Sequence, residues 1–184
     1  MFKYNIIIDK KLNKNEIITY EKSLIYSKLN LLNENWNLNK EKKLIDLLNE
    51  DFELKNIKYN FKYYLITRPR SGYDRNKKHI YITIRIRDIS MTIAHEIHHI
   101  FFMNNFRSIL EKKYSLSEKQ IGELKEIMIF MINQKKYKDI ILVKDTTYKD
   151  IVIIQSKMLK IWNKRKDFND FLGKAVKLYL KTYY

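Results

Sequence analysis

The chain has 184 residues, of which 45% are hydrophobic and none is cysteine, and its formal net charge is +16. The apolar content is enough for a folded core, which excludes a disordered chain, and the length predicts a single domain. Without cysteine there are no disulfides, thiol nucleophiles or cysteine-based zinc sites, and the positive charge leaves nucleic acid open as a partner.

The N-terminal part of the chain predicts two helices followed by two strands. Apolar residues recur at helical spacing over 15–32 and 40–50, with a polar break at Asn33–Asn39. Apolar and polar residues alternate over 59–65 and again over 80–86, which is typical of strands. The loop between these strands contains the only proline, and an antiparallel hairpin is the simplest connection.

The remainder of the chain is predicted to be mainly helical. Helical spacing returns in three segments, namely 89–104, 116–133 and 149–182. Ser115 and Glu118 have capping-box spacing at the start of the second segment, and the third is interrupted near Asp167–Gly173. A short strand is predicted at 139–144. The sequence therefore predicts an α+β fold with a small antiparallel or mixed sheet packed by helices.

An HExxH motif lies in the predicted helix 89–104, whose start Asp88 or Ser90 can cap. Residues four apart lie on one helix face, so His95 and His99 can both bind one tetrahedral Zn²⁺ ion. Glu96 is rotated by about 100° from His95 and lies beside the metal. That is the position of a general base that takes a proton from water activated by zinc.

The other two histidines have weaker claims to a role. His98 lies on the flank of the helix, where it is interpreted as a residue that supports the ligands or is partly exposed. His79 begins the second predicted strand, and an ordinary place on the polar face of that strand is favoured over a role as a third ligand.

The third metal ligand is expected to be a carboxylate, because no histidine follows His99. The helix predicted over 116–133 offers Glu118, Glu123 and Glu126, and Glu118 is assigned to the capping box. Glu123 and Glu126 are three residues apart and share a face, so either could approach the metal.

With Thr92-Ile93-Ala94 before it and a glutamate helix after it, the motif resembles the gluzincin metallopeptidases. It is most similar to the ImmA/IrrE-like family, whose pattern runs roughly T-x-A-H-E-x-x-H and later E-A-N-x-F-A. Glu126 and Phe130 match the second stretch, whereas Ile127 and Met128 replace its small residue and its Asn. The similarity covers about residues 78–133.

This resemblance implies a zincin-like fold and a zinc-dependent endopeptidase. The ligands would be His95, His99 and Glu126, with Glu126 favoured over Glu123, and Glu96 would be the catalytic base. The core would cover about 55–135, with helical flanking segments at 1–54 and 136–184 within one domain, 1–184.

The expected substrate is a protein or peptide held in an extended conformation against the strand at 79–86. A tyrosine could polarise its carbonyl group, and Tyr73, Tyr137 and Tyr148 are the candidates. The alternative is a basic nucleic-acid-binding or regulatory module that binds metal without catalysis. A third possibility is a latent enzyme whose cleft is covered by segment 15–50 or 149–184.

The sequence also predicts a cytoplasmic protein with no membrane partner. No apolar run is long enough for a transmembrane helix, and the first residues lack the h-region of a signal peptide. The lysines are scattered along the chain, as expected for solvated surface residues.

Overall fold

The structure is a computed structural model that describes residues 4–7, 27–66, 69–86, 88–141 and 151–184. It has an α+β fold in which helices pack on a small mixed sheet, which confirms the predicted α+β class. None of the helices in these ranges is long and apolar enough to cross a membrane.

In the described N-terminal part, two helices lie between the first strand of the sheet and the other three strands. Helix α1 covers 27–35 and α2 covers Leu38–Asp51, which confirms the helix predicted over 40–50. The break between them is short because Asn37 caps α2: its side-chain oxygen accepts a hydrogen bond from the Lys40 N–H at 3.0 Å. The first part of the helix predicted over 15–32 lies outside the described residues.

Four strands form one sheet in the described ranges: β1 (Tyr4–Ile7), β2 (Lys62–Ile66), β3 (Gly72–Asp74) and β4 (His79–Thr83). Their spatial order is β1-β2-β4-β3. Strand β2 runs parallel to both β1 and β4, whereas β3 runs antiparallel to β4.

The antiparallel hairpin predicted between segments 59–65 and 80–86 is wrong, because the loop between them contains β3. The chain reverses after β2 to form β3, and it reverses again through a tight turn in which Lys78 has a φ of 58°. Strand β4 therefore runs in the same direction as β2, and Tyr63 pairs with Ile80, both of them buried.

Four helices follow the sheet: α3 (Ile89–Tyr114), α4 (Glu118–Ile127), α5 (Val152–Trp162) and α6 (Phe168–Tyr183). Helix α3 extends ten residues beyond its predicted end because Phe106 and Leu110 continue its buried side. It ends at Ser115, which adopts the left-handed conformation. The helix predicted to reach Asn133 keeps α geometry only to Ile127 and continues as a 3₁₀ turn.

Three local predictions need correction. The capping box of α4 is formed by Ser117 and Gln120, because Ser115 already ends α3. The strand predicted at 139–144 is not formed at Asp139 and Ile140, which lie in a turn, and residues 142–144 are outside the described part. The C-terminal interruption lies at 163–167, slightly earlier than predicted.

One hydrophobic cluster joins all of these helices to the sheet. Its fully buried members come from every layer, and include Trp36, Ile80, Phe101, Leu124 and Tyr179. Helix α3 lies against the sheet on one side and against α4 on another. This packing fixes the helix that carries the HExxH motif relative to its neighbours.

Candidate metal centre

Helix α3 holds the HExxH residues firmly because it is capped at its start and buried over most of its N-terminal half. The Asp88 carboxylate accepts a hydrogen bond from the Met91 N–H at 2.7 Å, so Asp88 is the cap, while Ser90 donates to a backbone carbonyl of α1. Ile97 is fully buried, and so is Phe102 on another side of the helix. The part of α3 that carries the motif is therefore buried on more than one side.

The two motif histidines and Glu126 converge on one point. His95 Nε2 lies 3.4 Å from Glu126 Oε2, and His99 Nε2 lies 3.1 Å from Glu126 Oε1. The two imidazole rings are 4.2 Å apart between centroids and nearly perpendicular. One potential ligand atom from each of the three residues lies within 4.8 Å of the others, so the group could hold a metal ion.

Glu126 reaches this point because of how α4 packs. The Ser117–Gln120 capping box sets the start of α4, and the buried Ile121 and Leu124 anchor one side of the helix in the core. Glu126 lies in the last turn, beside the α3 histidines. The prediction that the carboxylate of Glu126 accompanies the histidines is therefore met by the geometry.

The other two glutamates of α4 have partners elsewhere. Glu123 Oε2 accepts hydrogen bonds from the hydroxyl groups of Tyr179 at 2.5 Å and Tyr184 at 3.3 Å. Glu118 pairs with Arg107 at 3.3 Å and takes no part in the capping box to which it was assigned. The structure thus brings neither of them to the histidines.

The donor atoms suit a metal ion better than they suit one another. The Nε2 atom of His99 and the Oε2 atom of Glu126 are buried, and neither makes a hydrogen bond of good geometry with the described residues. Buried polar atoms without good partners are costly and rare in proteins. Two imidazoles and one carboxylate that leave a further position open form a typical catalytic zinc donor set.

The local electrostatics keep the donors in their metal-binding forms. Burial lowers the pKa of His99 to about 3, although the nearby Glu126 opposes this shift, so the ring stays neutral. Burial alone would raise the pKa of Glu126, but the adjacent His95 and His99 rings and the Lys125 charge outweigh it, and the net pKa is lowered. Neutral imidazole and ionised carboxylate are the forms that bind metal.

Glu96 lies beside this group, as its position in the helix predicts. Its side chain is largely buried, with 7% of its surface exposed. Its charge acts on Tyr73 and on Lys125, so it faces the same small region as those two residues. A carboxylate next to a metal site and enclosed with it is well placed for proton transfer.

Lys125 and Tyr73 belong to the same region, and Lys125 was not among the predicted site residues. Lys125 Nζ lies 3.0 Å from Glu126 Oε1 and 5.2 Å from the centre of the Tyr73 ring. The Tyr73 ring is 5.8 Å from the ring of His99. The signal for Lys125 in the sequence was its position directly before a candidate metal ligand. This signal is weak, because the chain contains many lysines.

Both of these groups stay in the protonated form. Burial alone would lower the pKa of Lys125, but Glu126, Tyr73 and Glu96 outweigh it, and the pKa is raised. Burial raises the pKa of Tyr73, and the Lys125 charge only partly offsets this rise. The region therefore holds one ammonium group and one phenolic O–H donor beside the metal-binding atoms.

The remaining tyrosine candidates differ from Tyr73. Tyr137 is fully buried and donates a hydrogen bond to Asp51 at 2.5 Å, so its hydroxyl group is committed to a structural contact. Tyr148 lies outside the described residues. Among the candidates that the structure describes, only Tyr73 is beside the histidines.

The other histidines take no part in the group. His98 is fully buried, which corrects the expectation of partial exposure, and its ring packs against Phe52 and Phe102. Neither of its ring nitrogens has a hydrogen-bond partner in the described part of the chain. His79 packs against Tyr64 and Tyr81 on the sheet, as expected for a strand residue.

Comparisons of the chain with family models, curated proteins and solved structures returned no significant match.

Proposed function

We propose that the protein is a zinc-dependent peptidase of the gluzincin type, similar to the ImmA/IrrE-like family. The observation that carries this proposal is the convergence of His95, His99 and Glu126, whose ligand atoms lie within 4.8 Å of one another, with Glu96 beside them. Two of these residues belong to one local motif, but Glu126 comes from a different helix. An unrelated surface motif would not be expected to recruit a third ligand in this way.

Zinc is the metal that this donor set favours. Two histidines and one glutamate form a known catalytic zinc set, and the absence of cysteine agrees with an open rather than a closed structural site. The side chains of Glu126 and His95 are 28% and 16% exposed, so a substrate could reach the site from solvent. When bound there, zinc would supply a Lewis acid that activates water and polarises a carbonyl group.

Glu96 performs the proton transfers in the proposed reaction. Its carboxylate accepts a proton from the attacking water as the new O–C bond forms at the scissile carbonyl. It then returns that proton to the nitrogen of the breaking C–N bond, and the products are a carboxylic acid and an amine. Because Glu96 is enclosed, bulk water does not compete for this proton.

The position of the peptide substrate differs from the expected one. Strand β4 lies between β2 and β3, and β3 pairs with His79–Tyr81, so this part of β4 has no free edge for an added strand. Strand β3 is at an edge of the described sheet, and its Tyr73 lies next to His99. We therefore infer that an extended peptide pairs with β3, where its scissile bond would be close to Glu96.

The decisive experiment combines metal analysis with a charge-neutral replacement of the base. Purified wild-type protein should contain about one zinc ion per chain, and the His95→Ala/His99→Ala double variant should contain none. Glu96→Gln should keep both the fold and the zinc, because Gln has nearly the same shape and position 96 is not a ligand in this scheme. Its rate of peptide cleavage should fall by about 10²–10⁴, measured with a peptide library or by self-cleavage over days.

The same experiment separates the proposal from its main alternative, a basic module that binds metal without catalysis. A Glu96→Gln variant that cleaves as fast as the wild type would contradict catalysis by Glu96. Full zinc occupancy in the double histidine variant would contradict the metal site itself. Binding of nucleic acid that weakens steeply with salt and does not depend on Glu96 would favour the alternative.

A further inference from the structure

Lys125 is a positive side chain that the described structure places in direct contact with Glu126, one of the candidate metal ligands. Its Nζ atom is 3.0 Å from Glu126 Oε1, and its side chain is only 15% exposed. The other lysine of α4, Lys119, is 79% exposed and lies 3.8 Å from Glu123, away from the histidines. A lysine held largely out of solvent usually has a specific anionic partner.

Glu126 can be that partner only while it is not engaged by a cation. A metal ion on the carboxylate would neutralise its charge and repel the ammonium group of Lys125. The long side chain then has to find another anion or return to solvent, and Tyr73 restricts it because Nζ lies over that ring. In the metal-bound form, the ammonium group of Lys125 would therefore be available to bind another negatively charged oxygen next to the site.

Tyr73 provides a second donor at the same place. It lies on the edge strand β3, between Lys125 and the ring of His99. Its hydroxyl group keeps its proton, so it can donate a hydrogen bond. One charged donor and one neutral donor therefore lie next to each other beside His99, and such a pair suits an anionic oxygen.

We propose that Lys125 and Tyr73 form an anion-binding subsite beside the His95–His99–Glu126 group, which holds the substrate oxygen that becomes negatively charged when the peptide carbonyl is attacked by water. This inference rests on the proposed function. It assigns Lys125 as a catalytic residue, and it makes the enzyme depend on a lysine as well as a tyrosine for stabilising the developing charge. The same ammonium group competes with the metal for Glu126. Lys125 therefore supports catalysis but lowers the affinity for zinc.

This opposition gives a test that does not depend on knowing the natural substrate. Zinc affinity is measured by competition with a chromophoric chelator. Anion binding is measured by titrating inorganic phosphate into the cobalt-loaded protein at constant pH, because the visible absorption of cobalt responds to a change in its ligands. Lys125→Gln should raise zinc affinity by about tenfold and lower phosphate affinity by about 10–100-fold.

Three further variants make the result specific. Lys125→Arg keeps the charge and should stay close to wild type in both measurements. Lys119→Gln removes an equal charge from the same helix and should change neither. Tyr73→Phe should weaken phosphate binding by less than Lys125→Gln, because it removes a neutral hydrogen bond. If the Gln variant is poorly folded by circular dichroism, Lys125→Met replaces it, with the same expectations.

Each possible outcome decides something. Unchanged phosphate affinity in Lys125→Gln, or zinc binding that becomes weaker instead of stronger, would overturn the anion subsite and leave the zinc peptidase proposal standing. A weaker zinc affinity would show that Lys125 only positions Glu126. A wild-type protein that retains neither zinc nor cobalt would overturn both the proposed function and this inference.

Discussion

Helix α4 presents a glutamate on each of two sides, and the two sides bury polar groups in different ways. On the α6 side, Glu123 accepts hydrogen bonds from Tyr179 and Tyr184, so its lone pairs meet proper donors. On the α3 side, Glu126 meets the imidazoles of His95 and His99, and atoms of this group lack hydrogen bonds of good geometry. A satisfied cluster holds a fold together, whereas lone pairs that converge on one point are suited to bind a cation.

The largest expected effect compares these two glutamates directly. Glu126→Ala should lower zinc affinity by more than about a hundredfold, because losing a ligand costs more than losing a group that supports one. Glu123→Ala is the matched control, since it makes the same change one turn away on the same helix, and zinc affinity should stay within a few fold of wild type. Chelator competition measures both. The opposite order of effects would make Glu123 the ligand and would contradict the observed packing of α4.

The comparison also shows why the sequence led to part of the site and not to all of it. The spacing of His95, Glu96 and His99 is local, and a helix places those residues correctly whatever surrounds it. The choice between Glu123 and Glu126 is not local, because it depends on Tyr179, which is 56 residues further along the chain from Glu123. Only the family resemblance favoured Glu126 as the third ligand, because helical periodicity does not distinguish it from Glu123.

The fold shows the same division. The alternation in β4 and the helical pattern of α2 are local, and both elements were predicted close to their observed places. Strand β3 has only three residues, which is too short to show a period, so it was not predicted. Without it, β2 and β4 were predicted to be antiparallel, and that prediction was wrong. The burial of His98 could not be read from its polarity, since the two phenylalanines that enclose it come from the C-cap of α2 and from the next turn of α3.

A second prediction concerns the acid stability of the metal-free protein, which should depend on the α3 side. Burial lowers the pKa of His98 well below its usual value, and that of His99 to about 3. Below about pH 6.5 the unfolded chain therefore binds more protons at these residues than the folded one. Their contribution to the free energy of unfolding is complete above that pH and is lost as the pH falls towards the folded pKa values.

His98→Leu isolates one of these two groups. The variant should be more stable than wild type by about 1 kcal/mol at pH 7, because it removes a buried polar group that has no hydrogen-bond partner. The difference should widen between pH 7 and pH 5, since leucine has no proton to bind in the unfolded state. Urea unfolding with a chelator present measures the difference, and zinc affinity serves as the control. A stability difference that does not change with pH would mean that His98 is protonated or hydrated inside the folded protein.

The smallest effect is expected on the α6 side, where the cluster is satisfied. Tyr179 is fully buried and donates to Glu123 at 2.5 Å, but Glu123 is 41% exposed, so solvent can replace part of the lost interaction. Tyr179→Phe should therefore lower the free energy of unfolding by about 1 kcal/mol or less, with zinc affinity and cleavage unchanged.

Burial raises the pKa of Tyr179, and the folded state favours its neutral form. The contribution of its hydroxyl group is therefore present at neutral pH and declines as the pH rises above about 10. The two sides of α4 should thus lose stability at opposite ends of the pH range, and wild type and Tyr179→Phe should converge in stability in alkaline urea titrations. A Tyr179→Phe variant that loses zinc would show that the two sides are coupled through α4, and that Glu126 depends on the α6 cluster for its position.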